Sequence, residues 1–298
     1  MKKIYISLIF IVTLVMGLGS CSGDYDSFVG IDEYQTKPSM ISNVSTEALP
    51  GEIKLKWNVP TDSNYYLLQI RYYDHLTKSD KAQVLTVYGD SVIIPDTREK
   101  YGDYEFSFQT FNAKKEGSEI IKITAKSGKA PITETLTPTK LKLTVGQLST
   151  NAAEPTEGPI ANLLDNNPNT FFHTKWSGGG QPWPHWLEVK LDEPIQNFQF
   201  YYQNRNGSVA TPTDADVMIS NDGITWELLE NLTSGMPAGN SQEYTSKVYR
   251  ATAPFSYFRF SVNAATRNGS AQSSFNMAEF AMYNVHIDVY DPEAPDNN

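Results

Sequence analysis

Between Ile160 and Trp176 the chain reads IANLLDNNPNTFFHTKW, which sets the oxygen-bearing side chains of Asn162, Asp165, Asn167 and Thr170 among apolar anchors. Several oxygens on a tight, irregular backbone suit a hard cation such as Ca2+. The same residue types also cap turns, with Asp165 and Asn167 bonding their own backbone and Glu279 pairing with a lysine. A second set has different chemistry: His173, Trp176, Trp183, His185, Asn204, Arg205 and Phe275. Aromatic faces cover C–H surfaces, and planar polar groups read hydroxyls, arginine offering a fork of donors and histidine a compact donor or acceptor. The stretch Ser177-Gly178-Gly179-Gly180-Gln181-Pro182-Trp183 can present Trp183 on a glycine-rich loop. His173 and His185 are equally readable as structural partners, and core packing is the expected role of Phe172, Trp186 and Trp226 and the alternative one for Trp176.

Such side chains need a scaffold, and the composition supplies a β-rich one. The 298 residues include 17 Tyr, 14 Phe and 5 Trp with 19% charged side chains, enough to build packed cores and to exclude a disordered tail or coiled coil. With 19 Gly, 17 Pro and many β-branched residues, short strands and tight turns are expected, in about two domains by length. Ile53, Leu55 and Trp57 alternate with charged residues, as do Tyr66, Leu68, Ile70 and Tyr72, and then Tyr104, Phe106 and Phe108. Period two places each set on one face of a strand. Pro50-Gly51, Asp62-Ser63-Asn64 and Tyr101-Gly102-Asp103 punctuate them as turns, and Tyr65 and Tyr73 are expected to be exposed. Residues 127–139, with two prolines and several threonines, read as a linker. Beyond it, 186–191 and 198–202 alternate as strands, and Ser220-Asn221-Asp222-Gly223-Ile224-Thr225-Trp226 reads as a hairpin.

Two resemblances follow from these motifs. The order of Trp57, the tyrosine-rich strand and Tyr104-Glu105-Phe106-Ser107-Phe108 over residues 36–126 resembles a fibronectin type III domain. That resemblance implies that Trp57 fills the core and that Tyr104 forms a tyrosine corner. The Leu-Asp-Asn-x-Pro-x-Thr loop, His173-Thr174 near Trp176, Tyr202 with Arg205, the Ser-x-Asp-Gly-x-x-Trp hairpin and Ala278-Glu279-Phe280 resemble, in order and spacing, the coagulation factor 5/8 type C (discoidin) domain over 140–286. This group includes carbohydrate-binding module family 32. The expected fold is therefore all-β, two β-sandwiches in tandem, the second a jelly roll with ligand loops at one end. The resemblance implies a structural calcium held by Asn162, Asp165, Asn167, Thr170, Ala278 and Glu279, and a sugar-binding arginine at Arg205. Ala161 departs from those galactose-binding members that carry an acidic residue there, which bears on ligand preference.

The ends and the charge bound the setting. Lys2 and Lys3 precede an apolar run ending in Leu18-Gly19-Ser20-Cys21, which resembles the lipobox of bacterial lipoproteins. Residues 1–20 are thus expected to be an export signal and Cys21 the lipidated residue, the alternative being a secreted protein with a stray thiol. The acidic 21–35 segment resembles the surface-export signals of Bacteroidetes lipoproteins, so an outer-membrane, surface-exposed location is expected, with periplasmic facing as the alternative. Residues 287–298 read as a frayed acidic tail. The net charge of −10 argues against nucleic acid, and 9 basic against 13 acidic residues over 140–286 argue against anionic lipid, leaving contact with the membrane only through the anchor. The first domain balances 12 basic against 12 acidic residues, as a spacer or protein-contact module would. No Gly-x-Ser-x-Gly elbow, phosphate loop or His-Glu-x-x-His motif occurs, and a sandwich beside a spacer offers no cleft for two carboxylates, so no catalysis is expected. The expected function is glycan capture for partner transporters or glycosidases. The alternative is a scaffold subunit without sugar affinity.

Overall fold

The computed structural model describes residues 37–61 and 65–296; the expected export signal, Cys21 with its anchor, the acidic tether and the Asp62-Ser63-Asn64 turn lie outside the described residues. The strands are β1 (Ser42–Leu49), β2 (Glu52–Asn58), β3 (Leu67–Asp74), β4 (Ser79–Thr86), β5 (Ser91–Ile94), β6 (Asp103–Phe111) and β7 (Ile121–Lys126). They continue with β8 (Thr133–Lys140), β9 (Leu148–Thr150), β10 (Phe172–His173), β11 (His185–Gln203), β12 (Thr211–Ser220) and β13 (Glu227–Leu232). The last are β14 (Glu243–Thr245), β15 (Tyr249–Arg267), β16 (Ser270–Gln272), β17 (Asn276–Met277) and β18 (Glu279–Tyr290). Among the described residues the only helices are short 3-10 turns. The chain divides into two units: residues up to 131 with those from 292 on, and residues 132–291.

In the first unit the alternation puts the core together. Ile53, Leu55 and Trp57 of β2, Leu68 and Ile70 of β3, and Tyr104, Phe106 and Phe108 of β6 are all buried in one cluster. They lie between a three-stranded sheet, β1-β2-β5, and a four-stranded sheet, β4-β3-β6-β7. Trp57 meets the edge of Phe108, and its indole N–H donates to the Gly89 carbonyl at 2.9 Å. The Tyr104 hydroxyl accepts the Arg98 N–H at 2.8 Å and donates to the Arg98 carbonyl at 3.3 Å, pinning the turn before β6. Tyr104→Phe strands a partly buried N–H, and a loss of about 1–3 kcal/mol is expected in denaturant unfolding. An unchanged midpoint and slope would remove this role.

Three expectations for this unit are corrected. Tyr65 is buried, with its hydroxyl donating to Val87 O at 3.2 Å, and Tyr66 is 65% exposed instead. Strand pairing begins only at Leu67 with Phe111, so the inward phase of Leu68 and Ile70 does not extend back to Tyr66. Tyr73 is exposed as expected. The tail is also tied down: the Glu293 carboxylate accepts the N–H groups of Glu99, Lys100 and Ala130 at 2.8–3.1 Å, and Asp296 pairs with Lys100 at 2.8 Å.

The second unit is a jelly-roll sandwich whose main sheet runs β13-β12-β15-β11-β18-β8, with β9 and β14 on β11 and β16 on β15. Strands β11 and β15, each 19 residues long, serve both layers. The first part of β11 pairs with β15 and β9, its last residues pair with β18 and β14, and an irregular register between Lys190 and Asn197 lets it turn the corner. Leu187, Val189, Phe198, Phe200 and Tyr202 of β11 pack on Phe258, Phe260 and Val262 of β15. The supposed linker contains strand β8, which pairs with β18 from Thr133↔Tyr290 to Lys140↔Tyr283, so the acidic tail also loses its first residues to β18. Trp186 and Trp226 are not core residues. Leu187 and Val189 take the inward phase, and the Arg259 guanidinium lies 4.4 Å from the Trp186 ring and 3.7 Å from that of Trp226 while pairing with Glu188 at 2.6 Å.

Candidate functional site

The oxygen-rich loop is ordered first by its own hydrogen bonds. Buried Leu163 anchors a 3-10 turn at Ile160–Leu164. Asp165 Oδ1 then accepts the Asn167 N–H at 2.9 Å, Asp165 Oδ2 accepts the Thr170 hydroxyl at 2.7 Å, and Asn162 Nδ2 donates to the Phe171 carbonyl at 2.9 Å. The turn-capping role is therefore real. Glu279, opening β18, is the residue that capping does not explain: its Oε1 is buried without a hydrogen-bond partner. It forms no ion pair with a lysine among the described residues. Burial, and then the facing charge of Asp165, hold the Glu279 carboxyl above its usual range, with the Asn166 and Asn167 amides opposing in part. Two facing carboxylates, one with an orphaned oxygen, beside a loop of carbonyls form a donor set that fits a hard cation. Ala278, adjacent, is fully buried and its N–H donates to the Gln203 carbonyl at 2.8 Å.

The second set of candidates divides sharply. Arg205 follows β11 out of phase with inward-facing Tyr202 and Asn204, so it turns outward. Its guanidinium carbon stands 3.4 Å from the centroid of the Phe171 ring. Among the described residues that guanidinium makes no hydrogen bond or ion pair. Phe171, His173 and Trp176 continue as neighbouring rings, centroids 6.3 Å apart at each step. Trp176 is 48% exposed. His173 Nδ1 lies 2.6 Å from the Thr174 carbonyl, so Nδ1 carries the proton and Nε2 is left as an acceptor. Burial lowers the His173 pKa, with Arg205 adding in the same direction against the Thr174 carbonyl and Glu157, and the ring is neutral at pH 7.

His173 is itself buried, at 7% exposure, and of the four other candidates three belong to the interior and one is partly covered. His185 is fully buried, with Nδ1 at 3.0 Å from Thr174 Oγ1 and Nε2 at 3.0 Å from the Gln181 carbonyl. Asn204 is fully buried and donates to the Pro237 and Gly239 carbonyls at 2.9 Å each. Phe275 packs edge-on to Phe172 in the core. Trp183 is partly buried against the same core, its ring 4.3 Å from that of His185, and is not held out on a free loop.

The structure also adds residues that the sequence did not single out. Glu157 Oε1 accepts the Trp176 indole N–H at 3.1 Å and so fixes that ring. Buried Glu154 accepts from the Trp176 and Ser177 amides at 3.0 Å and from the Thr156 and Ser177 hydroxyls at 2.7–2.8 Å. Burial opposes its ionisation, yet those bonds outweigh it and bring the carboxyl down to about 2. Phe171 is the platform under Arg205, and Arg267 reaches the same end from β15, Nη2 to Ser208 Oγ at 3.3 Å. Only the Glu-Pro-Thr-Glu-Gly run hinted at a built turn.

Comparisons with known proteins give one family match and several more distant likenesses. A curated sialidase from Micromonospora viridifaciens is 28% identical over 107 residues, which is 34% of this chain; the chain spans only 16% of that relative's length. Among solved structures, a CBM32 module from Clostridium perfringens in complex with GalNAc-β-1,3-galactose is 17% identical, covering 46% of this chain and 96% of its own, with TM-score 0.38. A family 32 module from C. perfringens in complex with galactose is 21% identical, covering 51% and 99%, with TM-score 0.35. A SusE-like protein is 14% identical, covering 81% and 96%, with TM-score 0.33. A family model described as the F5/8 type C domain matches residues 147–277, and this part of the chain is an F5/8 type C domain.

Proposed function

We propose that this is a non-catalytic, lipid-anchored cell-surface protein that captures glycans at the Arg205 end of its F5/8 type C domain, with a fibronectin type III-like first unit as spacer. The observation that carries it is the Arg205 guanidinium, laid on Phe171 with its N–H groups unspent, beside the acceptor nitrogen of His173 and the exposed ring of Trp176. A fork of donors next to aromatic faces can read paired hydroxyls while covering a sugar's C–H surface. The matched module type is non-catalytic, and the anchor reading rests on Leu18-Gly19-Ser20-Cys21. A glycan array probed with the purified protein tests the reading. Silence on every glycan, with capture of an outer-membrane transporter, would instead favour a scaffold role.

Calcium belongs to the same proposal. The side chains of Asp165, Thr170 and Glu279 and the carbonyls of Asn162, Asn167, Thr170 and Ala278 would hold it as a staple between the loop and β18. Bound, it supplies the positive charge that the two facing carboxylates lack. Calcium at a hundredfold excess over its Kd is expected to stabilise the protein by about 2.7 kcal/mol, read as a rise in melting temperature over an EDTA sample. Glu279→Gln removes the repulsion with Asp165, so it should melt no lower than the parent in EDTA and show no calcium response. A calcium response surviving in that variant would place the ion elsewhere.

A further inference from the structure

The second unit has four arginines, and they divide into two kinds. Arg250 is bidentate to Glu134, at 3.0 and 2.6 Å, and Arg259 is held by Glu188. Arg205 and Arg267 have no carboxylate partner among the described residues, in a chain whose net charge is −10. These two unpaired cations bracket one short loop. Residues 204–210 join β11 to β12, and Arg267 ends β15, where Thr266 pairs with Thr211 at the start of β12.

That loop is held in place. Buried Asn276 donates from Nδ2 to the Ser208 carbonyl at 3.2 Å and accepts the Ala210 N–H at 3.1 Å through Oδ1, and Arg267 Nη2 donates to Ser208 Oγ. Glu157, the carboxylate whose charge reaches Arg205, accepts the Trp176 indole N–H through Oε1 and forms no ion pair with either arginine among the described residues. Burial lowers the pKa of Arg205, Glu157 opposes that in part and the like charge of Arg267 adds to it, so the two guanidinium groups share one corner without a carboxylate in ion-pair contact among the described residues.

We propose that the glycan taken here carries an anionic group, a carboxylate or a sulfate ester, received between Arg205 and Arg267 over the Ser208 loop. This rests on the reading of the Arg205 end as a glycan site. Guanidinium forks match planar carboxylate and tetrahedral sulfate oxygens with two charge-assisted hydrogen bonds, which a neutral hydroxyl cannot supply. The sugar ring then extends toward His173 and Trp176.

Titration calorimetry on the purified chain tests this with three probes: a galactose disaccharide, a galacturonate disaccharide and a sulfated galactose disaccharide. At least one acidic probe is expected to bind roughly tenfold or more tighter than the neutral one, with affinity falling as salt rises. The two acidic arms tell carboxylate from sulfate. Arg267→Gln should remove about tenfold from the acidic probe and leave the neutral one within about twofold, while Arg267→Lys recovers part of the loss. Should Arg267→Gln fail to fold, the salt titration of the parent protein decides alone. Neutral and acidic probes bound equally, or an Arg267→Gln effect equal on both, would overturn this inference and leave the glycan reading standing. No binding of any probe, with binding to phosphatidylserine vesicles lost in Arg267→Gln, would overturn both.

Discussion

Arg205→Ala is expected to lower glycan affinity by about a hundredfold while lowering the melting temperature by only about 1–8 °C. Each hydrogen bond from a charged donor contributes about 1.5–3 kcal/mol, and a fork engages two hydroxyl or anionic oxygens at once. Losing both at the low end is about 3 kcal/mol, or roughly two decades in Kd. The fold loses much less. The Arg205 side chain is only partly buried and makes no hydrogen bond among the described residues, so removal forfeits its stacking on Phe171, worth about 0.5–2 kcal/mol. Calorimetric titration beside thermal unfolding separates the two quantities. Arg205→Lys should fall between, because it keeps the charge and loses the fork. Wild-type affinity in Arg205→Ala would move the site away from this end of the sandwich.

Most of the architecture was legible because it follows from strand phase. Period two puts Ile53, Leu55 and Trp57 on one face, and all three are buried together. The same rule, carried two residues further along Phe198, Phe200 and Tyr202, places Asn204 inward and Arg205 outward, so the burial of Asn204 was available in the sequence. It also turns Trp186 away from Leu187 and Val189. Strand β8 escaped for a different reason. All eight of its residues are exposed, so there was no apolar face to see, and Thr133, Thr135, Thr137 and Thr139 showed their β-branched alternation only beside Pro131 and Pro138.

The site was less legible than the fold. Depth at a loop end depends on which distant segments cover it: His185 is enclosed by Thr174 and Gln181, whereas Arg205 is supported from below by Phe171. Glu157, Phe171 and Arg267 come from three separate segments, and no local spacing joins them. The oxygen-rich loop is more legible, because the Asp165 and Asn167 turn bonds lie within one run of sequence and only Glu279 comes from elsewhere.

How that end is built leads to the second large effect. Gly158 has φ +63°, and a Cβ there would stand 2.7 Å from His173 N, 2.8 Å from His173 Cβ and 3.2 Å from Phe171 Cδ2. The Gly158 carbonyl accepts the His173 N–H at 3.0 Å, so the Glu154–Gly158 turn lies directly on β10. Strand β10 has only two paired residues, Phe172↔Met277 and His173↔Asn276, with which to resist displacement. Gly158→Ala therefore combines left-handed strain of about 1–2 kcal/mol with crowding of about 1–3 kcal/mol against backbone that cannot rotate aside. The second unit is expected to melt roughly 5–15 °C lower. Glycan affinity should also fall in the still-folded protein, because His173, the Phe171 platform and Glu157 move together. Gly178→Ala supplies the control: its φ is +62° but nothing lies within 4 Å of the added Cβ, so it carries the strain without the crowding. The excess of Gly158→Ala over Gly178→Ala, in both melting and affinity, measures how tightly the turn is seated on the site. Equal effects at the two glycines would mean that β10 is positioned by the core alone and that the turn contributes nothing to holding His173.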